Sequence, residues 1–159
     1  MKIGVISDTH GYIDGCLEKL KQIDNLNIII HLGDYVKDAI KIENELGKKV
    51  IYVKGNCDFS ENNVEEDKLI EIEGKKIFIT HGHLYNVKSD MNRVFYRGKE
   101  LDADMILFGH SHASMKIESE NILILNPGSP TIPRGGSKKS IGIIEIVNGE
   151  IKSEIINID

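Results

Sequence analysis

The chain has 159 residues, of which 40% are hydrophobic and 28% charged, and its formal net charge is -5. That length fits one domain over residues 1–159, and a domain of this size buries roughly 68–70% of its unfolded surface, so neither a disulfide nor a metal is needed merely to fold. The negative charge argues against extensive nucleic-acid binding, which needs clustered Lys and Arg, and no apolar run approaches the ~20 residues of a membrane span.

The first apolar segment, Lys2 to Ser7, is short and rich in β-branched residues, so it is predicted as a buried strand running into Asp8-Thr9-His10-Gly11. No charged segment followed by a long apolar one opens the chain, and the two cysteines, Cys16 and Cys57, form no disulfide framework. A reduced, cytoplasmic setting is therefore expected. Ile13, Leu17, Leu20 and Ile23 then recur at helical spacing, with Asp14 near the start and Cys16 near the apolar face.

Asn27 to Leu32 is the second strand, ending in Gly33-Asp34, and Ala39 to Leu46 is the second helix, stopped by Gly47. A third strand, Lys49 to Val53, ends in Gly55-Asn56-Cys57-Asp58, and Phe59 to Asp67 is a polar loop. Lys68 to Glu73 and Lys76 to Thr80 form a hairpin that leads into His81-Gly82-His83. A helix from about Ser89 to Leu101 precedes the strand Asp104 to Phe108, which ends in Gly109-His110-Ser111-His112.

The last third is mostly strand. Met115 to Glu118 and Ile122 to Leu125 flank a turn at Glu120-Asn121, and Ile141 to Val147 and Ile151 to Ile156 form a hairpin around Asn148-Gly149. Between these pairs lie the loops Asn126 to Pro130 and Pro133 to Gly136. The first half thus alternates strand and helix, and no repeat or linker interrupts the chain.

Each core strand is followed by a residue able to ligate a metal: Asp8 and His10, Asp34, Asn56, His81, and His110 with His112. In α/β sheets ligands bind beyond the carboxyl ends of the strands. If these strands are parallel neighbours, their five loops emerge on one edge and seven candidate ligands converge. Seven is too many for one tetrahedral zinc and suits two ions sharing a carboxylate. The donors are oxygen and imidazole nitrogen, which suits Mn, Fe, Co, Ni or Zn better than a soft Cu(I) site. The glycines at 11, 33, 55, 82 and 109 would let the backbone turn beside the ions.

Asp8-x-His10, Gly33-Asp34, Gly55-Asn56, His81-Gly82-His83 and Gly109-His110-Ser111-His112 resemble, in order and spacing, the five motifs of the metallophosphoesterase (calcineurin-like) superfamily. Asn126-Pro127-Gly128-Ser129 extends the likeness to its small single-domain phosphodiesterases of bacteria and archaea. The resemblance implies an α/β fold, a four-layer αββα sandwich of two mixed β-sheets flanked by helices. It implies one metal on Asp8, His10, Asp34 and His112 and another on Asp34, Asn56, His81 and His110, with Asp34 bridging. Two divalent ions are expected, manganese first, with nickel, cobalt, iron and zinc as alternatives.

The implied activity is hydrolysis of a phosphate diester by a metal-bound hydroxide, on a small phosphate ester or nucleotide. Asn56, Cys57, Asp58 and His83 are the candidate catalytic residues. His81 and His83 compete for one ligand role; the likeness favours His81 and leaves His83 a substrate contact or a packed ring. Many relatives carry a histidine where Cys57 stands, so poor assistance to alkoxide leaving groups is expected. His31 reads as structural, the Arg134, Lys138 and Lys139 loop as solvated surface, and Asn126 to Ser129 as cleft wall shaped by Pro and Gly. The alternatives are a phosphomonoesterase or nucleotidase, and a non-catalytic scaffold of the same fold, as in a retromer subunit. A homodimer is the base-rate expectation for assembly.

Overall fold

Alternation of side chains along the strands decides the layers. In the computed structural model, which describes residues 1–158, Ile3 and Val5 of β1 (Lys2–Ile6) point one way and Ile6 the other, and all three are fully buried. Both faces of the sheet are therefore covered. The same split holds in β2 (Ile28–His31), where Ile30 and Ile29 join different clusters, and in β9 (Ser140–Val147), where Ile144 and Ile146 oppose Ile141 and Ile143. Full burial of each such side chain contributes about 1.5–3 kcal/mol.

The first sheet has the order β10-β9-β1-β2-β3, with β3 Val50–Tyr52 and β10 Glu150–Asn157. Its β1, β2 and β3 are parallel, while β9 runs antiparallel to β1 and to β10. The second sheet has the order β4-β5-β6-β8-β7: β4 Asp67–Ile72, β5 Lys75–Thr80, β6 Met105–Leu107, β7 Met115–Ser119 and β8 Ile122–Asn126. Here β5, β6 and β8 are parallel, and the outer strands are antiparallel.

Between the sheets pack Val5, Ile30 and Leu32 from one side and Ile77, Ile79, Met105, Leu107 and Leu125 from the other. Helices α1 (Asp14–Lys21) and α2 (Val36–Leu46) cover the first sheet with Leu17, Leu20, Ala39 and Ile42. Helix α3 (Asn92–Glu100) covers the second, Val94 packing on Phe78, Ile106 and Phe108. This is the four-layer sandwich.

One expectation changes. The strands that end in ligand-type residues are not all neighbours in one sheet: β1, β2 and β3 belong to the first and β5 and β6 to the second. Their loops still meet, because the parallel segments of the two face-to-face sheets share a carboxyl edge. Among the described residues no helix is long and apolar enough to cross a membrane.

Candidate metal centre

Five loops, following β1, β2, β3, β5 and β6, carry the predicted ligands to this shared edge. His112 Nε2 lies 3.2 Å from Asp8 Oδ1, and His10 Nε2 lies 3.6 Å from Asp34 Oδ2 and 3.4 Å from His112 Nε2. One ligand atom from each of Asp8, His10, Asp34 and His112 falls within 4.8 Å of the others, a group that could hold a metal ion. On the other side of Asp34, His81 Nε2 lies 3.4 Å from its Oδ1, and His110 Nδ1 lies 3.2 Å from His81 Nε2. The two oxygens of Asp34 thus face different imidazoles. Asn56 is exposed, and its side-chain amide donates to Cys57 Sγ at 3.7 Å.

Hydrogen bonds fix which ring nitrogens face the cluster. His81 Nδ1 donates to the Leu32 carbonyl and His112 Nδ1 to the Ile132 carbonyl, both at 2.8 Å. In the neutral rings this leaves the Nε2 lone pairs free towards the carboxylates. Asp8 is oriented in the same way. Its Oδ2 accepts from Ser7 Oγ at 2.7 Å and from the His110 backbone N–H at 3.0 Å. Its Oδ1 is buried, has no hydrogen-bond partner and faces His10, His81 and His112 at 3.9, 3.7 and 3.2 Å. A buried unpaired carboxylate oxygen is costly unless something positive meets it. Lone pairs of three imidazoles around that oxygen fit a divalent cation.

The backbone is also strained here. Asp8, His10, Asp34, His110 and His112 all have left-handed φ, between 48° and 67°. Such conformations cost of order 1–3 kcal/mol each and persist where the surroundings over-determine them. Two glycines make room. A Cβ on Gly55 would stand 2.1 Å from Asp34 Oδ1, and one on Gly109 1.9 Å from Ser7 Oγ.

Charge follows from this packing. Burial opposes ionisation of Asp34, yet His81 and the Cys57 N–H hold its carboxyl far below the usual range. Asp8 is likewise burdened by burial but kept low by His112 and His81. Asp8 in turn raises the His112 pKa, whereas burial and the neighbouring His81 push His110 down to about 4.

The domain model of the calcineurin-like phosphoesterase superfamily matches residues 1–149. The chain belongs to the calcineurin-like phosphoesterase superfamily. It is 34% identical to a protein named "Probable metallophosphoesterase" of Bacillus subtilis, over 93% of this chain and 86% of that one. It is 31% identical to a phosphodiesterase of Methanocaldococcus jannaschii, over 80% of this chain and 83% of that one. A predicted phosphoesterase from Streptococcus pneumoniae shares the fold at TM-score 0.83 and 28% identity, over 98% of this chain and 88% of that one. Vps29 of Entamoeba histolytica, complexed with zinc, does so at TM-score 0.78 and 25% identity, over 98% of each chain.

In this calcineurin-like phosphoesterase the remaining predicted residues line or brace the cluster. Cys57 is partly buried; its N–H donates to Asp34 Oδ1 at 3.0 Å, and burial and the Asp34 charge push its thiol up to about 11. Asp58 is buried, and both its oxygens are occupied by backbone. Oδ1 accepts from Tyr35 and Val36 N–H at 2.8 and 2.9 Å, and Oδ2 accepts from Gly55 N–H at 2.8 Å. It ties the loop holding Asp34 to the loop holding Asn56. His83 opens a short 3-10 turn, His83–Tyr85, its ring centroid 5.4 Å from that of His81. Its Nδ1 is buried without a partner, while Nε2 lies 3.9 Å from Glu66.

The bracing was legible in the sequence only in part: His31 reads as structural there, whereas Thr9 and Asp38 do not stand out. His31 is fully buried, and Gly33 N–H donates to its Nδ1 at 3.1 Å. Its Nε2–H therefore donates to Thr9 Oγ1, at 3.1 Å, and Thr9 donates to Asp38 Oδ2 at 2.6 Å. Asp38 also accepts the Gly11 N–H at 2.8 Å, so this chain fixes the turn carrying His10. Nothing in the sequence marks Asp38, a helix residue among other charges.

The Asn126 to Ser129 segment acts through its polar side chains as well as its Pro and Gly geometry. Asn126 Nδ2 donates to the Gly109 carbonyl and Ser111 Oγ, and Ser129 Oγ donates to the Asp8 carbonyl at 2.8 Å. The Arg134 loop is tied in as well, through its N–H to the His112 carbonyl at 2.9 Å.

Proposed function

We propose that this protein is a two-metal phosphoesterase that hydrolyses a small phosphate diester. The observation that carries the reading is the buried, unpartnered Asp8 Oδ1 ringed by three imidazole nitrogens. In this reading Asp8, His10, Asp34 and His112 hold one divalent ion, and Asp34, Asn56, His81 and His110 hold a second. The split of the Asp34 oxygens between His10 and His81 supports its bridging role. Bound divalent ions supply Lewis-acid charge for the phosphoryl oxygens and a nucleophile from water near neutral pH.

The chain's own residues orient and donate. Leu32 and Ile132 carbonyls hold the His81 and His112 rings, Ser7 holds Asp8, and Asp58 braces the Asp34 loop. Cys57 stands beside Asp34 as a neutral, weak donor to the departing oxygen, and His83 flanks the His81 side. The diester preference draws on the likeness to the Methanocaldococcus jannaschii phosphodiesterase. Residues 1–159 form a single domain in this reading, and the free thiols Cys16 and Cys57 suit a reduced cytoplasm.

The test strips the protein of metal and assays a bis-aryl phosphate beside the matching mono-aryl phosphate, after adding Mn, Ni, Co, Zn or Mg. Metal-dependent cleavage that prefers the diester and disappears in Asp34→Ala and His110→Ala is expected. A monoester preference would reassign the substrate class. The likeness to zinc-complexed Vps29 favours the rival reading, a non-catalytic binding protein of this fold. Zinc binding without cleavage of either ester would support that rival.

A further inference from the structure

Tyr35 follows Asp34 directly and has φ 75°. A bulky side chain in the left-handed region is an outlier, kept only where its surroundings enforce it. They do so here: the Tyr35 and Val36 N–H groups both donate to the buried Asp58 carboxylate.

This conformation brings the phenol ring against His10, with ring centroids 5.3 Å apart and planes tilted by 59°. Tyr35 is 41% exposed and forms one wall of a cavity of about 180 Å³. Cys57 forms another wall, with Lys37, Asp58, Ser60 and Glu61 around it. Two walls of the cavity are thus sequence neighbours of proposed ligands, Tyr35 of Asp34 and Cys57 of Asn56. The cavity therefore borders the two loops that carry Asp34 and Asn56.

Size and lining select what fits. By volume the space can take one aromatic ring, since ~150 Å³ is enough for a benzene molecule. The Tyr35 ring offers a stacking surface, which every aryl group or nucleobase can use whatever its substituents. Ser60, Glu61 and Lys37 supply polar atoms for ring substituents.

We propose that this cavity is the subsite for the organic group of the ester, and that it takes an aromatic ring stacked on Tyr35. The proposal rests on the phosphoesterase reading of the adjoining cluster. Tyr35 is then a specificity residue, and the substrate an aryl or nucleoside ester.

Binding of non-hydrolysable phosphonates to zinc-loaded protein tests this by calorimetry. Phenylphosphonate is expected to bind at least tenfold tighter than methylphosphonate. Tyr35→Phe should keep that ratio, and Tyr35→Leu should bring it within about threefold with methylphosphonate affinity unchanged. In the unaltered protein, amide shifts on adding phenylphosphonate should centre on Tyr35, Cys57 and Ser60. The 5′-methylenephosphonate of adenosine separates the sources: tighter binding than phenylphosphonate supports a nucleoside, weaker binding a simple aryl group. Equal affinities in the unaltered protein, a ratio that survives Tyr35→Leu, or shifts centred elsewhere would overturn the subsite alone. Binding of neither simple phosphonate would overturn the phosphoesterase reading and the subsite with it.

Discussion

At Gly55 there is no room for even a methyl group, because Asp34 Oδ1 occupies the space. Gly55→Ala should therefore displace the carboxylate proposed to bridge the ions. A misplacement near 1 Å costs on the order of 100-fold in rate, so kcat/KM on a bis-aryl phosphate should fall by about that much. An unchanged rate would show that Asp34 has slack. Cys57 invites the opposite experiment. Its thiol is mostly neutral but a weak donor. Cys57→His should accelerate esters with alkoxide leaving groups while changing activated aryl esters little. No gain in a variant that still binds two metals would count against the donor role.

His31 gives a pH dependence with a definite sign. Burial, opposed by Asp38, Asp58 and Asp8, lowers its pKa from 6.5 to about 4. Between those values the unfolded chain binds a proton that the folded protein does not. Its contribution is complete above pH 6.5 and is lost as pH falls towards 4, by roughly 3 kcal/mol in all. Urea melts of chelated protein should show His31→Asn less stable at pH 7 but with a flatter slope from pH 6.5 to 4. Parallel slopes would assign the acid loss to other groups.

At the scale of elements, the sequence pattern found each α-helix and strand of the described residues, and the departures among these are at their ends. Helix α2 begins at Val36 rather than Ala39. Its start is capped by Asp58, 22 residues away, a signal that no local motif carries. Asp58→Ala removes a buried acceptor from three N–H groups and should cost about 3 kcal/mol. That corresponds to a fall in Tm of about 6–12 °C. Asp58→Asn, which keeps one oxygen, should recover part of it. A fall under 2 °C in both would make Asp58 dispensable to the fold. Helix α3 begins at Asn92 rather than Ser89, because Ser89 N–H bonds back to the Asn86 carbonyl and Asp90 Oδ1 takes the Asn92 N–H. The short turn at His83–Tyr85 has no periodicity to read, and Gly82 with φ 106° makes it.

At the scale of the molecule, the two-sided burial of both sheets supports the fold independently of any ion. Removing metal should leave the protein folded by circular dichroism. A bound ion would still add stability, since the buried Asp8 Oδ1 has no hydrogen-bond partner. At free metal 100 times Kd, binding adds about 2.7 kcal/mol, which raises Tm by roughly 5–11 °C. Thermal melts of chelated and manganese-loaded protein measure it directly. A shift below 2 °C would contradict tight binding at a preformed site.

The sequence by itself determined the element order, the class of the fold and the set of ligand-type residues. Those signals are local: apolar alternation, helical spacing, and an Asp, Asn or His one to five residues beyond a strand end. It left open how the strands divide between two sheets, because a strand buried on both faces reads alike in either sheet. Tertiary structure decided that division, the ring tautomers set by the Leu32 and Ile132 carbonyls, and the brace from His31 through Thr9 to Asp38. It also set Tyr35 beside His10. Each of these depends on hydrogen bonds or close approaches between segments distant in the chain. No short-range pattern encodes them, because the partners become neighbours only when the two sheets close face to face.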